Sequence, residues 1–352
     1  MLERPVSTNS FAHGAAELPS VVVNGYGLEF KEKGKYAGER ANRRAFFDAL
    51  TDLSRLAPAP DSAFTQKRAP AFSKRELERI LAKGVPADAA VVLGAIEVFS
   101  ESLASVIARF LKHKSWAGAE RIIVGGGLSH GRLGALVTHR TKLLLHAQKI
   151  AVDLVPIRYH PDEAALIGAG HLMPSWVLDG HDAMIAIDIG GTNIRVGVVR
   201  LRLDQAPDLS RAAVWKSTVW RHADESPARQ KTVDRMVRMV KRLAGLAARE
   251  GFKVAPLIGV GCPGVITHDG SIDRGGQNLP GGNWESERFN LAAALAKGFP
   301  HIGEHQTSVI IHNDAVVQGL SEVPFCRDTK RWAVVTIGTG LGNASFDNRA
   351  KP

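Results

Sequence analysis

The chain has 352 residues, 45% of them hydrophobic and 23% charged, with Lys+Arg 45 against Asp+Glu 35 and a net charge of +10. This is a globular composition, too long for one ordinary core, so two lobes are expected. No apolar run reads as long enough to cross a bilayer, the N-terminus lacks a secretory form, and Cys262 and Cys326 alone make no disulfide framework.

Residues 1–20 are polar and mixed and read as a poorly ordered tail. Short strands are expected at 21–23 and 27–30, around Asn24-Gly25, and a helix over 41–54. Residues 57–73 contain three prolines and read as a loop. A helix over 74–81 takes Ser73 as its N-cap, and a long buried helix over 89–114 takes Asp88. A strand at 121–124 runs into Gly125-Gly126-Gly127; a helix over 131–149, a strand over 152–158 and a helix over 161–172 follow. Within that last helix, Ala164 to Gly170 is rich in small residues that permit close packing. Residues 174–183, with Pro174 and Gly180, read as a linker. Beyond it come a hairpin over 184–199, a strand over 212–220, a helix over 232–248 and a strand over 257–261. A helix over 289–297, a strand over 308–312, a helix over 314–322 and a strand over 332–337 complete the pattern. Strands interleaved with helices imply an α/β fold with mixed sheets.

Three glycine-rich turns stand at strand ends. Asp188-Ile189-Gly190-Gly191-Thr192-Asn193 follows an apolar run and precedes the β-branched stretch 194–199. Such a turn presses backbone N–H groups against phosphate oxygens, because glycine has no side chain to hold them away. The acid before it suits a hydrated Mg²⁺ near those phosphates. An ordinary Gly-Gly hairpin carries the same letters. Gly338-Thr339-Gly340-Leu341-Gly342 repeats the pattern, and Gly125-Gly126-Gly127 lets a flat ring or ribose lie against backbone. Asp314 falls where the 308–312 strand becomes a helix, which equally suits a helix N-cap or a carboxylate projecting beyond a strand end.

Together these segments resemble the ROK family of sugar kinases and repressors, in the actin-like ATPase superfamily. Asp188 to Thr192 resembles its first phosphate loop, 258–265 its first connecting segment and Gly338 to Gly342 its second phosphate loop. Ile123 to Gly127 resembles the adenosine motif and Ala165 to Gly170 the second connecting segment. Gln277-Asn278-Leu279-Pro280-Gly281 resembles the sugar-contacting loop, and His312-Asn313-Asp314-Ala315 the segment with the catalytic Asp. The resemblance implies two RNase-H-like lobes with mixed sheets and an interlobe cleft. It implies ATP- and Mg²⁺-dependent phosphorylation of a hexose or hexose derivative by a cytoplasmic homodimer.

In that frame Asp314 is the general base. Asn278, Asn313 and Glu39 join it in contacting sugar, and Asp188 holds Mg²⁺ through water. Gly190, Gly191 and Thr192 meet phosphate from one side, Gly338, Thr339 and Gly340 from the other, and Gly126 and Gly127 lie under adenosine. The family order is altered: the adenosine motif and second connector come first, at 123–170, and the second phosphate loop comes last. A circular permutation reproduces this, with the old ends joined near 171–183; a fusion of halves from two chains gives the same order. The expected division is 21–173 for most of the large lobe, 184–330 for the small lobe, and 331–352 returning to the large lobe. The family's Glu-x-x-His pair and cysteine-rich zinc motif are not intact: Ala37 to Asn42 offers Glu39, but Asn42 stands where His would, and two distant cysteines build no thiolate zinc site. His13 and His130 are alternatives. A non-catalytic sugar sensor and a polyphosphate-dependent kinase remain as other readings. The charge suits polyanions, but without a helix-turn-helix-like unit or aromatic-basic interleaving a solvated basic surface is expected, with no nucleic acid or membrane partner.

Overall fold

The computed structural model describes residues 12–32, 34–56 and 61–349. The strands of its two main sheets, in chain order, begin with β1 (Val21–Tyr26), β2 (Arg121–Gly125), β3 (Asp153–Pro156), β4 (Ala183–Ile189) and β5 (Ile194–Arg200). They continue with β6 (Ala213–Trp220), β7 (Val254–Cys262), β8 (Ser308–Asn313), β9 (Arg331–Ile337) and β10 (Leu341–Asn348). The principal helices are α1 (Arg43–Leu56), α2 (Lys74–Lys83), α3 (Pro86–Phe110), α4 (Gly131–Ala147), α5 (Arg229–Arg249) and α6 (Asp314–Leu320).

The chain forms two compact units. Among described residues, the first holds 12–23, 163–327 and 347–349, and the second holds 24–162 and 328–346. Residues 174–183, read from sequence as a linker, therefore lie inside the first unit.

The first unit is built on a sheet in the order β8-β7-β4-β5-β6. β4, β5 and β6 form an antiparallel meander, while β7 runs parallel to β4 and β8 parallel to β7. Counting the meander as strands one to three, the order is 3-2-1-4-5, the RNase-H-like arrangement. Strand β4 is buried at every position, as a central strand covered on both faces must be. One face packs Ile185, Ile187 and Val196 against Met236, Val240 and Leu243 of α5. Across Gly259 the small-residue stretch 164–170 makes its close approach: a Cβ on Gly259 would stand 2.7 Å from Ala169 Cβ, and one on Gly168 would collide with the Val317 carbonyl.

The second unit has a sheet in the order β1-β10-β9-β2-β3, with β2 parallel to both β9 and β3. Counted from the β9–β10 pair the spatial order is again 3-2-1-4-5, but the chain visits these strands third, fourth, fifth, first and second. Its core joins Phe46, Phe99, Leu103, Phe110, Ile122 and Val335.

Four sequence expectations are corrected. Residues 12–20 are tied down rather than loose: Gly14 N–H donates to Ile311 O at 3.0 Å and Leu18 N–H to Val21 O at 2.9 Å. Residues 1–11 lie outside the described residues. The 57–73 segment contains a helical turn, Ala63–Gln66, and Asp88 is not the cap of α3, which begins at Pro86. The buried Asp88 carboxylate instead accepts the Ser62 hydroxyl at 2.5 Å and the Ala63 N–H at 2.9 Å, and so holds that turn. Finally, α3 is 25 residues long with a mean hydropathy of 1.8 over its most apolar stretch, enough by length and composition to cross a bilayer. The apolarity is used in the core, where Val92, Ala95, Phe99, Leu103 and Ile107 are buried. Ser73 does cap α2, with a reciprocal Glu76 bond.

Candidate active site

In the first unit the chemistry-bearing residues gather at the carboxyl ends of three adjacent parallel strands. Asp188 pairs across to Gly261, and Cys262 pairs across to Asn313. A Cβ on Gly261 would stand 3.5 Å from the Asp314 Cα, so glycine here lets that backbone come close. Carboxyl ends of parallel strands are where open α/β sheets place ligands, since the connections leave a crevice there.

Asp314 is the first helical residue of α6, and the N-cap is Asn313. Asn313 Oδ1 accepts the N–H groups of Ala315 at 3.0 Å and Val316 at 3.3 Å, and its Nδ2 donates to Gly264 O at 3.0 Å. The side chain expected to contact sugar is thus spent on the helix cap and on the loop opposite. That frees Asp314 from capping duty beyond one bond, Ala315 N–H to Oδ1 at 2.9 Å. Burial, and then the negative charge of Asp188, push the Asp314 carboxyl up to about 7. Protein surrounds the group, although it keeps part of its surface open. The same surroundings push the Cys262 thiol well up, through burial and the charges of Asp314 and Asp188, so it sits there as a neutral thiol.

Asp188 is buried and ion-paired with Arg195 at 3.2 Å. The two are direct cross-strand partners in the β4–β5 hairpin. The turn between them closes with Gly190 N–H donating to Asn193 O at 2.9 Å. His222, buried, donates Nε2–H to Gly190 O at 2.8 Å, and Ala223 N–H donates to Thr192 O at 3.2 Å. A carbonyl can only accept, so the ring carries its hydrogen on Nε2. Gly190, Gly191 and Thr192 are partly open above this brace. Mg²⁺ usually takes one or two carboxylates and completes its shell with water and phosphate. Asp188, with Asp314 close enough to feel its charge, fits that role.

His312 precedes this pair and is buried. Its Nε2 donates to Ala15 O at 3.1 Å and its Nδ1 accepts Asn313 N–H at 2.7 Å, which fixes the backbone entering α6. Burial lowers its pKa to about 4. The loop behind Asn313 is tight: Gly264 has φ 101° and Gly275 φ 87°, and a Cβ on Gly275 would stand 2.8 Å from Gly264 Cα. Asn278 ends the turn Gly276–Asn278 that follows; its side chain lies outside the described residues. His13, an alternative for the missing histidine, accepts Ile311 N–H on Nδ1 at 3.2 Å.

In the second unit the Gly126 and Gly338 turns are brought together at the carboxyl ends of the parallel neighbours β2 and β9. Gly126 has φ 86°, and any Cβ there would collide with the Ile337 backbone. Gly127 and Gly340 face open space. The second turn closes with Gly338 N–H to Gly340 O at 3.0 Å, and Gly338 O accepts Arg43 N–H at 2.9 Å from the start of α1. Thr339 is exposed at its tip. Lys74 donates to His130 O at 2.7 Å and stands 3.4 Å from Gly127 O, bracing the loop. Glu39 is exposed, and its carboxylate accepts Tyr36 N–H at 2.6 Å, a bond to its own helical start.

Sequence reading missed His222, His312 and Arg195. The hairpin register would have found Arg195, since a turn centred on Gly191-Thr192 places it opposite Asp188. No local signal marks His222 or His312, whose partners Gly190 and Ala15 are 32 and 297 residues away.

No family model matches the chain, and no curated protein matches it. Among solved structures, a "putative sugar kinase" from Cytophaga hutchinsonii ATCC 33406 is 21% identical at a TM-score of 0.34, covering 47% of this chain and 48% of that one. A "putative N-acetylmannosamine kinase" from Listeria monocytogenes is 24% identical at a TM-score of 0.33, covering 47% of each chain. The chain thus spans about half the length of these two structures.

Proposed function

We propose that the protein is a sugar kinase that moves the terminal phosphoryl group of ATP to a hydroxyl of a hexose or hexose derivative. The observation that carries this reading is Asp314: a carboxyl held at about 7, at the carboxyl edge of parallel strands, beside Asp188 and a phosphate-type glycine turn. As the sugar oxygen attacks the terminal phosphorus and the bond to the bridging oxygen breaks, the Asp314 carboxylate takes the hydroxyl proton. A general base with proton affinity near neutrality suits that transfer. Bound at Asp188, Mg²⁺ would offset charge on the phosphates. The backbone of Gly190 and Gly191 with Thr192 takes phosphate oxygens, held in shape by His222. The open turns at Gly126-Gly127 and Gly338 to Gly340 take the nucleotide. Asn313 acts on this reading mainly by positioning Asp314; Asn278 and Glu39 are the remaining sugar contacts.

The strand order of the second unit fits a rotated chain order, since third-fourth-fifth-first-second is a cyclic shift of the first unit's order; a fusion of halves gives the same shift. The net charge of +10 favours polyphosphate as a second donor to test. Purified protein should be given ATP with Mg²⁺, or polyphosphate, with a panel of hexoses and N-acetylhexosamines, and sugar phosphate measured. Turnover with ATP is expected. Sugar binding without turnover on any donor would instead make the chain a sensor.

A further inference from the structure

A cavity of about 660 Å³ opens on the first unit, away from Asp188. Its walls are the last turns of α5, the entry to β7 at Phe252 to Val254, the 301–305 hairpin and the Gly180-His181 corner. Ala183 pairs with Val254 at the amino end of β4, five residues before Asp188. At roughly 3.3 Å per strand residue the cavity lies about 17 Å from Asp188, at the opposite end of the sheet. We propose that this cavity binds a small organic anion carrying an apolar or aromatic body.

Three features point there. The volume falls within the range of small-molecule sites, roughly 300–1,000 Å³. Its lining also brings together Lys241, Lys253, His181, His301 and His305, and includes no aspartate or glutamate. Among the described residues no ion pair ties either lysine ammonium. Phe252, Phe299 and Ile302 supply apolar wall between these groups. An anionic head would meet the two lysine charges, set against the roughly half negative charge at the nearby carboxyl end of α5 and the Asp182 carboxylate, which accepts the Lys253 N–H at 2.9 Å behind the wall.

The third feature is Gly245. It sits inside α5 on the cavity face with Ala244 and Ala248. Its φ is not in the left-handed region, and a Cβ there would meet nothing within 4 Å. Glycine in a helix interior costs about 1 kcal/mol relative to alanine. Neither packing nor backbone geometry asks for it, and the missing side chain leaves the cavity wide.

The test uses the full chain and 8-anilinonaphthalene-1-sulfonate, an aromatic sulfonate, followed by fluorescence titration. Saturable binding is expected, weakening with salt as charge attraction does. Gly245→Leu should weaken binding about tenfold or more by filling the space, and the pair Lys241→Gln with Lys253→Gln about fivefold while flattening the salt dependence. The uncharged N-phenyl-1-naphthylamine should bind at least about fivefold more weakly than the sulfonate. Circular dichroism checks the fold, and Gly245→Ala, which adds helix propensity, substitutes if leucine disturbs it. Equal binding by wild type, Gly245→Leu and the lysine pair would place the probe elsewhere and overturn the proposal. So would equal affinity for the neutral probe, or no binding at all. The readout needs no phosphoryl transfer, so failure of the kinase reading leaves it standing.

Discussion

At the scale of single residues, Asp314 carries the argument. Its carboxyl is raised from 3.8 to about 7 by burial and by Asp188. Two consequences follow from the same shift. Between about 4 and about 7 the folded protein holds a proton that the unfolded chain has released, so this group subtracts stability as pH rises through that window. Asp314→Asn should therefore gain thermal stability over wild type, by a few degrees at pH 8 and much less at pH 4, on a pair of melting curves. On the proposed reading the carboxyl must be ionised to act as general base, so kcat/KM should rise with pH to a plateau just above 7. Asp314→Asn should lose about 10² to 10⁴ in kcat with sugar affinity largely kept. Retained turnover in that variant would remove the base assignment. His312 runs the other way: its lowered pKa means that stability is lost as pH falls from about 6.5 to about 4.

At the scale of turns and helices, two glycines adjacent in sequence separate into different roles. Gly126 is required by its φ of 86° and by the approach of β9, whereas Gly127 faces open space. Gly126→Ala should destabilise the second unit by about 2 kcal/mol or more in denaturant titration, since it combines backbone strain with a backbone collision. Gly127→Val should keep its stability and raise the nucleotide KM; an unchanged KM would reject the nucleotide assignment there. The turn at Gly190-Gly191, proposed to take phosphate, depends on a brace outside it. Removing that brace with His222→Ala should raise the donor KM while leaving sugar affinity in place, because His222 bonds Gly190 O and not the sugar side. Asn313→Ala should cost about 1 kcal/mol as a lost helix cap, with a further fall in kcat as Asp314 loses its position.

At the scale of the whole molecule, the proposal is that the chain order is a rotation of an ordinary two-lobed kinase. Arg349 donates its N–H to Ser20 O at 3.0 Å, so the described C-terminal end lies beside the N-terminal segment. Gly180 is exposed, with open space around it. A chain reopened at Gly180, with residues 12 and 349 joined through a flexible linker, should fold to the same two sheets and keep turnover, because an exposed loop with open space around it tolerates a break. A chain that folds but loses one sheet's strand pairing, read by hydrogen exchange, would argue against the rotation.

The local pattern of residues was enough to mark most of the strands, the three glycine turns and the acid at the head of α6, because alternation, helical period and glycine are written in neighbouring positions; the strand expected at 27–30 is absent, and the first strand runs unbroken through Asn24-Gly25 to Tyr26. Ser73 as a cap was equally legible, since cap and partner stand three residues apart. Asp88 was misplaced for the opposite reason: its partners Ser62 and Ala63 are remote, and burial gave it a role that no local pattern announces. The same distance hid His222 and His312. Strand order, the proton affinity of Asp314 and the cationic cavity beside Gly245 were decided only by tertiary structure, because each arises from groups far apart in the chain that share one small volume. Desolvation and Coulomb energy depend on that volume and not on order along the backbone.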